Sequence, residues 1–591
     1  MKRRFAVLIG ATLLFCAGAA RSQDEAPSLS DIKLLDDAPN LARTLRDQWH
    51  SGDVPIGFEN AENDTEYYGR LRDAGAPQPV SLPQAISLAL LNNTNLQVQR
   101  LVPLGARAEV RRTLSMFDPA AFGDTGIDRT TQQASSLLQG AAISESNNFP
   151  WNFGLRKILT TGGQVTLAWR NNRFNTNSAF FDLAPNYTTS FGVSLNQPLL
   201  RDFGYRYTTL LVRIARNTQD QATYQYEASI ATTVQQIEAA YWTLVLAREA
   251  VRVQEQGLSL SRELQRQNEG KFKVGALPQT SVLEAQAEVA RREAELIRVN
   301  NALTNARDTL RALVNYRPPG SEQLLIIEPS DSPTLEESDF DLDRSLNTAL
   351  EKRPELAAAK LEVRGRGMML KVAENQLLPR LNAVGSIGTN GLSGTDVPTC
   401  VINGVTSRIP QADCIAMGGT FVPNNFAGPY GDSLNSALDG RYYSYSAGVT
   451  IEVPLDNAQA KADYARSRVD LESSQRQLQL QQEQVTLDIK RSVTTLQSDV
   501  RSIEATRIAR ELSDENLRNQ QARYDVGLAT TKDILDFQDQ LTQARFAEVN
   551  ALTRYATDLA ELHRAEGTLL ERRRIVVDRG EQEPTPWYAY F

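Results

Sequence analysis

Histidine is nearly missing from this chain: His50 and His563 are the only two in 591 residues. That leaves almost no material for imidazole acid–base catalysis or for a zinc site. No nucleophile–base set, phosphate-cradling glycine loop or ligand cluster stands out either, so the sequence offers no grounds for an enzyme, a metal or another cofactor. An excess of basic residues is also absent. The formal charge is 63 minus 71, or −8, whereas phosphate binding wants a basic face, so no nucleic acid partner is expected. Beyond the first residues no continuous apolar run reaches the ~20 residues of a spanning helix, and any role in a membrane falls to strands.

Cysteine is scarce as well, with three in all. Cys16 lies in "MKRRFAVLIGATLLFCAGAARSQDEAP", which has a basic start (Lys2, Arg3, Arg4), an apolar stretch from Phe5 to Ala20, and a small-x-small cleavage site at Ala20-Arg21-Ser22. This reads as a secretory signal peptide over residues 1–22. The bulky Phe15 before Cys16 speaks against lipidation there. In an exported chain the remaining two, Cys400 and Cys414 in "TCVINGVTSRIPQADC", point to a loop-closing disulfide rather than a metal pair.

Proline is missing between Pro198 and Pro278 and again between Pro454 and Pro584, although the chain has 25. Two very long helices are implied. In the second stretch Val485, Ile489, Val493, Leu496, Val500 and Ile503 form a helical stripe between polar flanks. The 68 residues from Asn457 to Tyr524 would make ~100 Å of helix, longer than any globular core, so such helices must pack side by side as coiled coils.

Each long stretch ends in the same kind of phrase: "FKVGALPQTSVLE" from Phe272 and "YDVGLATTKDILD" from Tyr524. Gly275 and Gly527 sit where a helix wants a left-handed cap, and Pro278 or Thr530 and Thr531 restart the next helix, which makes both phrases hairpin tips. Upstream, "GQVTLAWR" from Gly163 and "TTSFGVSLNQPL" from Thr188 alternate apolar and polar residues with the period of strands. "RLNAVGSIGT" from Arg380 and "YYSYSAGVTIEVPL" from Tyr442 answer them in the second half. The chain thus reads as a tandem duplication of helix, strand pair, very long helix, tip and helix. Two further segments, from Phe122 and from Phe149, leave the strand number open, and the stretches from Asn171 to Asn186 and from Gly391 to Arg441 read as surface loops.

Taken together, the "SLPQAISLALLNN" opening, "NQPLLRDFG" after the strand, "VGALPQTSVLEAQ" and "VGLATTKDILDFQ" at the tips, and the duplication resemble the TolC family of outer-membrane efflux and secretion channels. The resemblance implies a fold that is mainly α with a membrane β-barrel, assembled as a homotrimer with one shared barrel in outer-membrane lipid and one long periplasmic α-barrel. It divides the chain into a signal peptide (1–22), an N-terminal periplasmic segment (23–80), a first repeat (81–315, strands about 118–199, tip about 272–280), an equatorial linker (316–344), a second repeat (345–578, strands about 380–455, tip about 524–532) and a tail (579–591).

The resemblance also assigns roles. Asp533 and Asp536, i and i+3 on the helix leaving the second tip, match the acidic rings that constrict the periplasmic entrance; the residues alone read instead as a solvated pair of acids favoured at a helix start. Tyr524 matches the tyrosine of the lock that holds such channels shut. Ala529 and Ser281 stand where the lock's arginine and acid are expected, and Lys532 is a possible substitute. Gly275, Pro278 and Gly527 would form tips that dock a periplasmic adaptor, or membrane fusion, protein, itself joined to an inner-membrane pump of the RND or ABC type. The function implied is a passive exit duct for drugs, metal ions or secreted polypeptides, with the choice of cargo left to the pump. The alternative is a periplasmic coiled-coil scaffold without channel activity, which has no need of amphipathic strands.

Overall fold

The structure is a computed structural model that describes residues 56–58, 77–133, 142–178, 180–318, 322–335 and 340–577. The expected signal peptide, most of the segment 23–80 and the tail 579–591 lie outside the described residues. The chain falls into two compact units, residues 1–57 with 576–578 and residues 58–575 with 579–591, and the elements below belong to the second.

Strand β1 (Gln78–Val80) leads into helix α1 (Leu82–Asn92), where the Gln84 side chain accepts a hydrogen bond from the Ser81 N–H at 2.9 Å and closes the first turn. After α2 (Thr94–Leu114) come five strands, β2 (Ala120–Thr125), β3 (Asp128–Gln133), β4 (Ile143–Ile158), β5 (Gln164–Thr176) and β6 (Leu183–Pro198). The proline-free stretch is then one helix, α3 (Leu210–Lys273), and past the first tip the chain returns as α4 (Gln279–Val314). The short β7 (Ile327–Pro329) pairs in parallel with β1.

The second half has α5 (Leu342–Lys352), α6 (Pro354–Gln376), β8 (Arg380–Asp396), a short helix α7 (Tyr430–Leu438) and β9 (Tyr443–Glu452). The 68-residue helix α8 (Ala458–Asp525) and α9 (Thr531–Glu566) follow, with the second tip between them. The stripe on α8 is the buried one: Val485, Ile489, Val493, Leu496 and Ile503 pack with Tyr555 and Leu562 of α9 and with Ala349 and Leu356 of α5 and α6. Each such aliphatic side chain contributes roughly 2 kcal/mol on leaving water, so this seam holds long helices that have no globular core to wrap.

The strands form one open antiparallel sheet in the order β9-β8-β6-β5-β4, with β2 and β3 both along the outer edge of β4. The segments from Phe122 and Phe149 are therefore both strands. Two expected loops shrink. β5 runs to Thr176 and β6 begins at Leu183, so most of the stretch from Asn171 to Asn186 is ladder; β8 likewise continues to Asp396. These strand ends carry Asn, Thr and Gly on both faces, which hides their period while the backbone pairing goes on (Asn171 with Thr189, Arg173 with Tyr187). The remaining segment before β9 holds a small three-stranded sheet, closed by the Cys400–Cys414 disulfide with Cα atoms 5.6 Å apart, and α7.

Candidate functional site

The two tips are built alike. At the first, Gly275 adopts φ +73°, its N–H donates to Phe272 O at 2.9 Å, and the Ala276 N–H donates to Lys271 O at 2.8 Å. At the second, Gly527 has φ +78°, with Gly527 N–H to Tyr524 O at 3.1 Å and Leu528 N–H to Arg523 O at 2.8 Å. Both are helix C-caps of the Schellman type, which require a residue at ease with positive φ. A Cβ at either glycine would meet no atom within 4 Å, so each tip is open around its turn. Pro278 and Thr530, both extended, are the N-caps that launch α4 and α9.

The next helix start fixes one of the two carboxylates. Asp533 Oδ2 accepts from the Thr530 N–H at 2.8 Å and from Thr530 Oγ1 at 2.7 Å, while the Asp533 N–H donates back to Thr530 Oγ1 at 3.2 Å. This capping box, led by the backbone hydrogen bond from Thr530, holds the Asp533 carboxyl below the usual aspartate range. Asp536, one turn on, is exposed. The pair thus lies on one helix start, with Asp533 tied to the cap and Asp536 directed by no such bond among those described.

Tyr524 is buried in a small cluster with Leu264 and Ile534, against which Ala529 and Leu535 pack. Its hydroxyl donates to Asn268 Oδ1, and Asn268 Nδ2 donates to Ser281 O and to Thr531 Oγ1, each at 3.1 Å. Lys271 Nζ stands 4.0 Å above the Tyr524 ring. This buried polar knot ties the first hairpin (Asn268, Ser281) to the second (Tyr524, Thr531). A little farther from the tips the hairpins are joined again: buried Arg292 of α4 binds Glu288 at 2.7 Å and Asp539 of α9 at 3.0 Å. Gly257 of α3 makes room for it, since a Cβ there would come within 3.2 Å of the guanidinium.

Sequence reasoning named Tyr524, and Thr531 only as a helix restart, and did not name Asn268, Arg292 or Asp539. One signal was readable: Leu258, Ser261, Leu264 and Asn268 are spaced 3, 3 and 4, and all four are buried. A polar residue on such a stripe calls for a partner. Ser281 enters the knot only through its backbone carbonyl, and Lys532 is exposed, with no part in the knot.

The sheet separates two chemistries. One face presents Phe153, Leu155, Leu167, Trp169, Phe191, Val193, Ile387, Tyr445, Val449 and Ile451; the other presents Asn152, Thr166, Arg170, Ser190, Ser194, Asn390, Ser446 and Thr450. Trp169 stacks on Phe191 at 5.6 Å and meets Phe153 at 5.9 Å, yet Ile387, Val449 and Ile451 remain more than 60% exposed. A wall of this kind can meet lipid on one side and water on the other. At its far end α7 lies over the first face: Tyr430 donates to Asn171 Oδ1 at 2.7 Å, the Ser433 and Thr189 hydroxyls are 2.7 Å apart, and Gly391 leaves room where a Cβ would strike Ser433 O at 1.8 Å.

Comparison with known proteins adds to this. The profile of the family described as outer membrane efflux protein matches residues 85–316 and 345–568, well over half of the chain. The outer membrane protein TolC of Salmonella enteritidis is 24% identical over 402 residues, 67% of this chain and 73% of that one. The CmeC outer membrane channel of Campylobacter jejuni superposes with a TM-score of 0.56 at 16% identity, covering 83% of this chain and 86% of CmeC. The outer membrane protein VceC of Vibrio cholerae does so with a TM-score of 0.56 at 17% identity, covering 82% and 96%. At those identities the likeness to the two structures is one of fold.

Proposed function

The chain belongs to the outer membrane efflux protein family, and we propose that it is the outer-membrane exit duct of a tripartite efflux or type I secretion system. In this reading three copies share one barrel and one helical tunnel. An inner-membrane pump of the RND or ABC type loads cargo, a periplasmic adaptor links pump to tips, and the duct conducts passively.

The observation that carries the proposal is the continuity of two parts in one chain. A sheet with an apolar and a polar face passes, at Pro198 and again at Glu452, into helices of 64 and 68 residues. At 1.5 Å per residue these are about 100 Å long. A scaffold has use for the helices but none for a face of exposed Ile, Val and Tyr; lipid is the solvent that suits it.

The tips supply the gate. The Tyr524–Asn268–Thr531 knot and the Arg292–Asp539 pair hold the two hairpins of each copy together, and opening requires them to part or to swing as a unit. Three copies of Asp533 and Asp536 at the entrance put six carboxylates around it, a field that draws in cations. Gly275, Pro278 and Gly527, with open space around both glycines, offer the adaptor a surface into which helical hairpins fit. The test of the assembly is direct: the protein should fractionate with the outer membrane and emerge in mild detergent as a helix-rich trimer. A soluble periplasmic monomer would favour the scaffold.

A further inference from the structure

The sheet contains more wall than two strand pairs provide. Between the strands that connect to helices, β2–β3, β6, β8 and β9, the chain inserts the hairpin β4–β5, which returns at the turn 159–163. The hairpin is built into the sheet and not laid upon it. Its register with itself runs unbroken from Ser146↔Thr176 to Ile158↔Gln164, and β5 pairs onward with β6 from Gln164↔Asn196 to Phe174↔Asn186. Gly154 of β4 is covered by Phe122 of β2, whose ring leaves no room for a Cβ there, the nearest carbon being 2.3 Å away.

β2 and β3 count as one lane. Thr125 faces Trp151 and Asp128 faces Asn148, so the register continues across the gap, and the interruption falls opposite Pro150, which has no N–H to give to a ladder. Each copy therefore carries six lanes, in the order β9, β8, β6, β5, β4 and β2–β3.

Among the described residues neither edge has a strand partner: all ten residues of β9 and all of β2 and β3 are exposed. Their directions match for closure. β9 runs toward α8 and β2–β3 runs away from α2, so an edge-to-edge meeting of two copies is antiparallel, like every other pair in the sheet. The β9 edge also continues the faces of the wall, with Tyr443, Tyr445, Val449 and Ile451 on the apolar side and Ser444, Ser446 and Thr450 on the polar side. An edge of this kind has no tolerable place in lipid unless another strand covers it.

We infer that the partner of these edges is a second copy of this chain, and that the closed ring is a barrel of eighteen lanes, three copies of six, in which the hairpin β4–β5 widens the pore. The count rests on the trimer proposed above. Strands about 4.8 Å apart and tilted by about 40° give a backbone diameter of about 36 Å for such a ring, against about 24 Å for the ring of four lanes per copy that two strand pairs would form. The wider ring leaves an aqueous bore, so the wall itself poses no constriction and control falls to the tips.

The test is electron cryomicroscopy of the full chain in detergent, viewed down its axis, beside a variant lacking residues 143–176. The wild type should be three-fold with a ring of about 36 Å, and the variant, whose β2–β3 is still antiparallel to β6, should shrink to about 24 Å. A three-fold wild-type particle with a ring of about 24 Å, the hairpin lying outside the wall, overturns this inference and leaves the trimer standing. A monomer, or another symmetry, overturns both.

Discussion

Replacing Tyr524 by Phe removes one oxygen from the best-defined polar knot in the molecule. The ring keeps its packing against Leu264 and Ile534 and its place under Lys271, so the change is confined to the hydrogen bond with Asn268 and the 3.5 Å contact with Thr531 Oγ1. Asn268 is fully buried, and its Oδ1 loses the donor it has while water cannot reach it. An orphaned buried acceptor costs about 1 to 3 kcal/mol. If opening separates the two hairpins, that cost falls on the closed state alone and raises the open population by roughly 5- to 150-fold. Single-channel recording from purified protein in planar bilayers reads it as open probability. Pairing the change with Asn268→Leu should give less than the sum of the two single effects, because both ends of one bond are then gone. An open probability within about twofold of wild type for Tyr524→Phe would refute the reasoning: the hairpins would not part at this knot.

Two further outcomes follow from local geometry. Gly527→Trp should abolish export while leaving trimer level near wild type, and Gly527→Asn, which tolerates positive φ and adds little bulk, should keep it; loss with both would trace the defect to the turn rather than to docking. Asp558 of α9 is pushed up to about 6, first by burial and then by Asp499 of α8, with Arg554 opposing. The folded chain therefore holds a proton that the unfolded chain releases near 4, so stability falls as pH rises from about 4 to 6 and stays lower above it. Asp558→Asn should match wild type near pH 4 and exceed it at pH 7.5 by on the order of 2 kcal/mol, read by circular dichroism melts; equal melts at pH 7.5 would remove this carboxyl pair as a source of strain.

Much of the architecture was legible because its signals are long. A proline-free run of this length has few alternatives to helix, and the stripe from Val485 to Ile503 is one whose period survives any local noise. The strands were legible only where one face is apolar. From Asn171 to Arg173 both faces are polar, from Gly391 to Asp396 every residue but Leu392 is polar or small, and the ladder continues on backbone hydrogen bonds that side chains do not announce. α7 was missed for a related reason: Ser433 and Tyr430 seat it through hydrogen bonds to strand residues far away in sequence. At the tips the glycines were readable from their cap positions. The second role of Asp533 follows from Thr530 three residues earlier, which makes the acid favoured at a helix start part of a capping box. Asn268 is the deeper omission, since its partner lies 256 residues away and no local pattern links them.

In the function proposed here the chain conducts ions across a membrane through a duct guarded by acidic tips, and planar bilayers read that conduction directly. Purified protein should insert in one orientation and give discrete, cation-selective steps that multivalent cations block from the tip side only. Asp536→Ala should weaken that selectivity and block without disturbing the cap that Asp533 makes, and adding Asp533→Ala should abolish them. Protein that reaches the bilayer as trimer yet gives no steps would not be a duct, and steps whose selectivity and block survive the double substitution would mean that the acidic tips do not guard it.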